Sequence, residues 1–102
     1  MQVALTVWDG RISPLFDATR MLLIVDVEGR SVIAKRYEYF DCESAFSRAA
    51  RLGDLGVKVL ICGGISEFYA NQVEVLGIEI IPFSSGEANE VLELYLRDLN
   101  EM

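Results

Sequence analysis

Cys62-Gly63-Gly64-Ile65-Ser66 directly follows the apolar run Val57-Lys58-Val59-Leu60-Ile61. A thiol, two glycines and a hydroxyl in that order set a soft metal ligand beside bare backbone N–H groups. If Ser66 opens a helix, those groups lie at the positive end of its dipole, where anions are favoured. Gly63 and Gly64 permit positive φ or close approach of another group, and with Ser66 as N-cap they make an expected anion cradle. A tight strand-to-helix turn with no ligand would use the same residues. Nucleotide hydrolysis is disfavoured, because Glu67-Phe68 stands where a phosphate loop needs a Lys-Ser/Thr pair.

The thiol chemistry is limited by what accompanies it. The chain has two cysteines and no histidine. Cys42 and Cys62 form no C-x-x-C pair, and a closed zinc site needs four ligands, usually Cys and His. Neither thiol has an imidazole base for nucleophilic catalysis. Reduced thiols packed as small hydrophobes are the plainer reading. Asp9, Asp41 and Glu43 raise a metal-dependent nuclease reading, but Asp9 ends its strand and Cys62 stands where strand four would need an acid. No catalytic residue is assigned, and the expectation is a protein that is not an enzyme.

These groups must be positioned by strands and helices. Gln2 to Val7 alternates as a first strand, and Met21 to Val27 is nearly all apolar, as a central strand would be. Glu28-Gly29-Arg30 turns into Ser31 to Phe40, whose Lys35, Arg36 and Glu38 predict an edge strand. Helix Ser44 to Leu55, strand Val57 to Ile61, helix Ser66 to Leu76, strand Ile78 to Ile81 and helix Gly86 to Leu99 follow. Ser84 and Glu87 have capping-box spacing before the last helix. The order β-β-β-α-β-α-β-α predicts an antiparallel meander extended by right-handed crossovers, with strand order 3-2-1-4-5 and helices on both faces.

That topology gathers the reactive residues. Open α/β sheets bind ligands at the carboxyl ends of their strands, and Asp9, Cys42, Cys62 and Ser84 to Gly86 all fall there. Asp9 and Cys62, on adjacent strands, would share one cleft. Cys42 would be roughly 15 Å from Cys62 at ordinary strand spacing. The segment Gly10 to Asp17 is long for a hairpin connection and predicts either a binding loop or a lid in which Leu15 and Phe16 plug the core and Asp17 caps a turn. Arg11 is the cation certain to lie near this edge.

Bulk composition sets the remaining bounds. The 102 residues, 52% hydrophobic and 25% charged, suit one folded domain over 1–102. A formal charge of −7 disfavours nucleic-acid partners. No apolar run approaches the roughly 20 residues needed to span a bilayer, and the N-terminus lacks a signal-peptide pattern. The expectation is a cytoplasmic protein.

Three segments together carry a resemblance: Gly10-Arg11-Ile12-Ser13-Pro14-Leu15-Phe16-Asp17, then Leu60-Ile61-Cys62-Gly63-Gly64-Ile65, then Leu76-Gly77-Ile78-Glu79-Ile80. Each is weak alone. In this order, over almost the whole chain, they resemble the dinitrogenase iron–molybdenum cofactor biosynthesis family. The resemblance implies a ribonuclease H-like α/β fold without nuclease activity. It also implies a carrier of iron–sulfur-type cofactors or iron–molybdenum cofactor precursors, related to nitrogen fixation, with a cofactor donor or acceptor protein as partner. Because His is absent, a cluster would fall to Cys62 and Cys42 as metal ligands, helped by Asp9, Arg11, Ser13, Gly63, Gly64 and Ser66. Two thiols fall short of the four that hold an ordinary cluster, so a homodimer or a partner would complete the set. The alternative is a metal-free interaction or regulatory domain that binds a small anion or a protein at the same edge.

Overall fold

The computed structural model describes residues 1–40 and 45–100. Its elements are β1 (Gln2–Trp8), β2 (Arg11–Ile12), β3 (Met21–Glu28), β4 (Ser31–Tyr39), α1 (Ala45–Asp54), β5 (Val57–Ile61), α2 (Glu67–Val75), β6 (Glu79–Ile81) and α3 (Ala88–Asn100). The main path of the sheet runs β4-β3-β1-β5-β6. This is the expected 3-2-1-4-5 order, with β1 antiparallel to β3 and parallel to β5.

Alternation along the central strands sends side chains to two cores. Ala4, Leu22, Ile24 and Leu60 pack with Ala49 and Leu52 of α1 and Val73 of α2. Val3, Leu5, Leu23, Val25 and Ile61 pack with Ala88 and Leu92 of α3 on the opposite face. The strands therefore read as continuous apolar runs because both faces are covered. Gly56 (φ 72) and Gly77 (φ 78) end the first two helices in the left-handed region.

The connection after β1 corrects the long-loop reading. Asp9 (φ 53) and Gly10 (φ 77) are both left-handed, which closes a two-residue hairpin of the type whose twist matches paired strands. β2 then pairs Arg11 with Trp8 and Ile12 with Val7. A 3-10 turn, Phe16–Ala18, follows. Phe16 is buried as the lid reading expected, but Leu15 is exposed.

The start of α3 differs from the expected capping box. The Ser84 N–H donates to the Cys62 carbonyl at 2.9 Å, so Ser84 belongs to the preceding turn. Glu87 stands just before the helix, and its carboxylate accepts from the Asn89 N–H at 3.2 Å. The Ala88 N–H donates to the Gly10 carbonyl at 2.9 Å, which ties the β1–β2 ribbon to the helix start.

Candidate functional site: the carboxyl edge of the sheet

The thiol that ends β5 does not open onto this edge. Cys62 is 0% exposed and sits among Ala4, Phe16, Leu22 and Leu60. Burial, then the nearby Asp17 carboxylate, pushes its thiol up to about 11, so at neutral pH it is a protonated core side chain. The shared cleft expected for Asp9 and Cys62 is therefore not formed. Asp9 lies exposed on the hairpin turn, while Cys62 lies beneath the surface.

The anion-cradle expectation is corrected in the same way. A Cβ on Gly63 would stand 2.6 Å from both the Ser13 and Pro14 carbonyl oxygens, so the close approach that Gly63 allows is made by the chain's own loop. The Gly64 N–H donates to the Pro14 carbonyl at 2.8 Å, and the Gly64 carbonyl accepts from the Phe16 N–H at 2.8 Å. Ser66 is the N-cap of α2, its hydroxyl accepting from the Tyr69 N–H at 3.4 Å. The Ser66 N–H donates to Asp17 Oδ1 at 3.2 Å. An internal carboxylate thus occupies the helix terminus where an external anion was expected.

Other expected residues lie around a recess beside the hairpin. Ser13 is buried, its N–H donating to the Thr6 carbonyl at 2.8 Å. The Thr19 hydroxyl is 3.0 Å from the Ser13 hydroxyl and 2.9 Å from the Leu15 carbonyl. Ser13, Thr19, Trp8, Ala18 and Arg20 line a recess of about 460 Å³. Arg11 is exposed on β2, whose other side is bridged to Glu87. Trp8 is 72% exposed and Phe83 82% exposed. Cys42, with Asp41 and Glu43, lies outside the described residues.

Two features of this edge were missed by sequence reasoning. Arg48 of α1 is buried and donates from Nη1 to the Thr19 carbonyl at 2.7 Å and the Phe16 carbonyl at 3.3 Å. Its guanidinium also lies 4.9 Å from the centre of the Phe40 ring. The signal was present: Arg48, Ala49 and Leu52 follow helical spacing, which puts an arginine on the core-facing stripe. The second feature is Phe83, held at φ 61 with its N–H donating to the Gly63 carbonyl at 2.9 Å.

Comparison with known proteins decides the family. The sequence matches the family described as dinitrogenase iron–molybdenum cofactor over residues 1–98. The chain belongs to this family. No curated protein matches it. Among solved structures, PH0822 is similar with a TM-score of 0.90 and 23% identity, over 96% of this chain and 90% of that one. The Methanocaldococcus jannaschii protein MJ0327 is similar with a TM-score of 0.81 and 22% identity, over 97% and 90% of the two chains. The apo form of the orange protein from Desulfovibrio gigas is similar with a TM-score of 0.81 and 18% identity, over 96% and 88%. At these identities the solved structures share the family fold.

The donor set of the edge can be tested against the family's cofactor. Among the described residues, no three His, Cys, Asp or Glu side chains gather to hold a metal ion. Cys62 is sealed, and the N–H groups of Gly64 and Ser66 are engaged. These residues do not fit a resident cluster. What the recess offers is one cation, two hydroxyls and an indole. No helix among the described residues is long and apolar enough to cross a membrane.

Proposed function

We propose that this chain is a non-enzymatic, single-domain carrier in cofactor biosynthesis, meeting an iron–sulfur-type cofactor or its precursor as cargo at the carboxyl edge of the sheet. Family membership supports the cofactor, and the recess between Trp8, Ser13 and Arg20 is the observation that supports the place. Arg20 would offset the negative charge of a thiolate-ligated cluster within an otherwise acidic protein. Trp8 and Phe83 present apolar area that a donor or acceptor protein would cover, as aromatic anchors do at protein interfaces. The described residues supply no thiolate, so ligation of the metal falls to Cys42, which lies outside them, or to that partner.

The test is anaerobic incubation with a preformed thiolate-ligated iron–sulfur cluster, followed by gel filtration and iron analysis. Iron should follow the wild-type protein, fall in Trp8→Ala and Arg20→Ala, and persist in Cys62→Ser. Iron lost from Cys62→Ser alone would show that the core opens to expose its thiol, against this reading.

The sealed Cys62 favours a second reading, a metal-free interaction domain using the same edge. Colourless, iron-free wild-type protein would select it. Thermal stabilisation of metal-free protein by an anion such as phosphate, removed by Arg11→Ala, would then identify a small anionic ligand.

A further inference from the structure

The two edges of the sheet differ. β6, at one side, is three residues long, whereas β4, at the other, runs nine residues from Ser31 to Tyr39. Long exposed edges template pairing with another strand unless they are blunted by charge, proline or a bulge. Among the described residues no strand covers the outer side of β4, and Tyr37 is 63% and Tyr39 75% exposed.

The backbone shows which residues face outward. The Phe40 N–H donates to the Arg20 carbonyl at 2.7 Å, one pair beyond Met21↔Tyr39 in the β3–β4 ladder. Hydrogen-bonding direction alternates along an antiparallel strand. Phe40, Glu38 and Arg36 therefore turn their N–H and C=O groups toward β3, and Tyr39, Tyr37 and Lys35 turn theirs outward. The register shift lies between Asp26 and Val27, so this alternation holds from Ala34 to Phe40. The side chains also divide cleanly. Lys35 reaches Asn89 of α3 at 2.9 Å, whereas Glu38 pairs with Arg51 of α1 at 3.2 Å on the opposite face.

We infer that β4 pairs antiparallel with β4 of a second copy of this chain about a two-fold axis at Tyr37, joining the two sheets into one. In that register Tyr37 meets its own copy and Lys35 faces Tyr39 of the second copy, so all the outward backbone groups of these three residues find partners. Between them Arg36 lies opposite Glu38 of the second copy, twice, at the closely spaced non-hydrogen-bonded position. An axis on Lys35 would instead set that ammonium against itself. The charges that would otherwise blunt this edge are thus self-complementary in one register, as an isologous interface requires.

Sedimentation equilibrium up to about 1 mM chain, a range that captures weak dimers, should show a dimer of the wild-type protein. R36E and E38R should each be monomeric, because each sets like charges opposite one another. Mixed in equal amounts, the two variants should form a heterodimer, since the carboxylates of one then face the guanidinium groups of the other. Both variants lose the internal Arg36–Glu38 ion pair at 3.0 Å, so recovery on mixing cannot come from within one chain. Tyr37→Pro removes an outward N–H and leaves the ladder to β3 intact; it should be a folded monomer by circular dichroism. A wild-type monomer throughout the range overturns the inference. So does a dimer unaffected by Tyr37→Pro, or a mixture of R36E and E38R that stays monomeric.

Discussion

Two turns lie side by side at the carboxyl ends of β5 and β6, and each leads into a helix. The first, Cys62 to Ser66, carries the residue types that suggest chemistry, and it is closed. Its thiol is in the core, its glycine lies under two carbonyl oxygens, and Asp17 occupies its helix terminus. The second, Phe83 to Glu87, carries no thiol, yet it holds a nearly fully exposed aromatic at positive φ. The backbones of the two are joined, Phe83 and Ser84 donating to the Gly63 and Cys62 carbonyls at 2.9 Å. The thiol-glycine turn is a seam that fixes the edge, and its neighbour is the part exposed at the surface.

The comparison breaks most directly at the glycines. Gly63→Ala should cost about 4 kcal/mol of unfolding free energy, since its Cβ must displace the Ser13–Pro14 backbone. Gly86→Ala would meet nothing within 4 Å and suffers only the strain of φ 110, about 1–2 kcal/mol. Denaturant unfolding of the two variants side by side measures the contrast. Equal losses would mean that the loop over Gly63 yields easily and the first turn is not a seam.

Arg48 holds that loop from the other side. Arg48→Met should cost about 2–3 kcal/mol, because the Phe16 and Thr19 carbonyls lose a buried charged donor. Arg48→Lys should recover less than half, since an ammonium cannot both reach the two carbonyls and stack on Phe40. The sharper readout is chemical. In a Cys42→Ser background, Cys62 should react with a thiol reagent much faster in Arg48→Met than in the parent. Unchanged reactivity would separate the loop from the seal on Cys62.

Alkaline pH probes the same seal through a proton. The Cys62 thiol titrates near 9 when exposed and at about 11 in the fold. Between those values the unfolded chain binds fewer protons than the native one, so stability falls as pH rises. The contribution is fully present below pH 9 and is lost through pH 11, amounting to about 3 kcal/mol. Tyr95 is also raised by burial and by Glu79, and it adds to the alkaline loss. Cys62→Ala keeps the Tyr95 part and removes the thiol part, so its stability should decline less steeply above pH 9 than that of the wild type. Parallel pH profiles would place Cys62 in contact with solvent.

The strand order and the three helices were legible because each element carries its own period or its own stop. Both-face burial makes β3 and β5 mostly apolar, and Gly56 and Gly77 mark helix ends. The Asp9-Gly10 hairpin was also legible in principle, as that dipeptide is a strong two-residue turn signal, but Gly10 to Asp17 reads by its length as one long connection. Arg48 was legible by helical spacing alone. The passage of Ser13 and Pro14 over Gly63 was not. It joins residues some fifty positions apart, and a glycine that admits a ligand is locally identical to one that admits the chain's own carbonyl. The same ambiguity covers Cys62, because burial depends on Phe16 and on a loop whose path no local pattern encodes.

Phe83 gives the smallest effect and the finest test of the contrast. A bulky residue at positive φ is strained, and exposed rings add little to a fold. Phe83→Ala keeps the strain and removes the ring, so stability should stay within about 0.5 kcal/mol of wild type. Phe83→Gly relieves the strain at some cost in unfolded-chain entropy, and should gain no more than about 1 kcal/mol over the alanine variant. If the ring served the fold, both substitutions would destabilise it by more than about 1 kcal/mol, glycine somewhat less than alanine. If the ring is held outward for a partner, stability rises slightly from alanine to glycine while both variants lose binding alike. Thermal unfolding and partner affinity then separate the two roles at a single residue, because backbone strain distinguishes alanine from glycine and the missing ring does not.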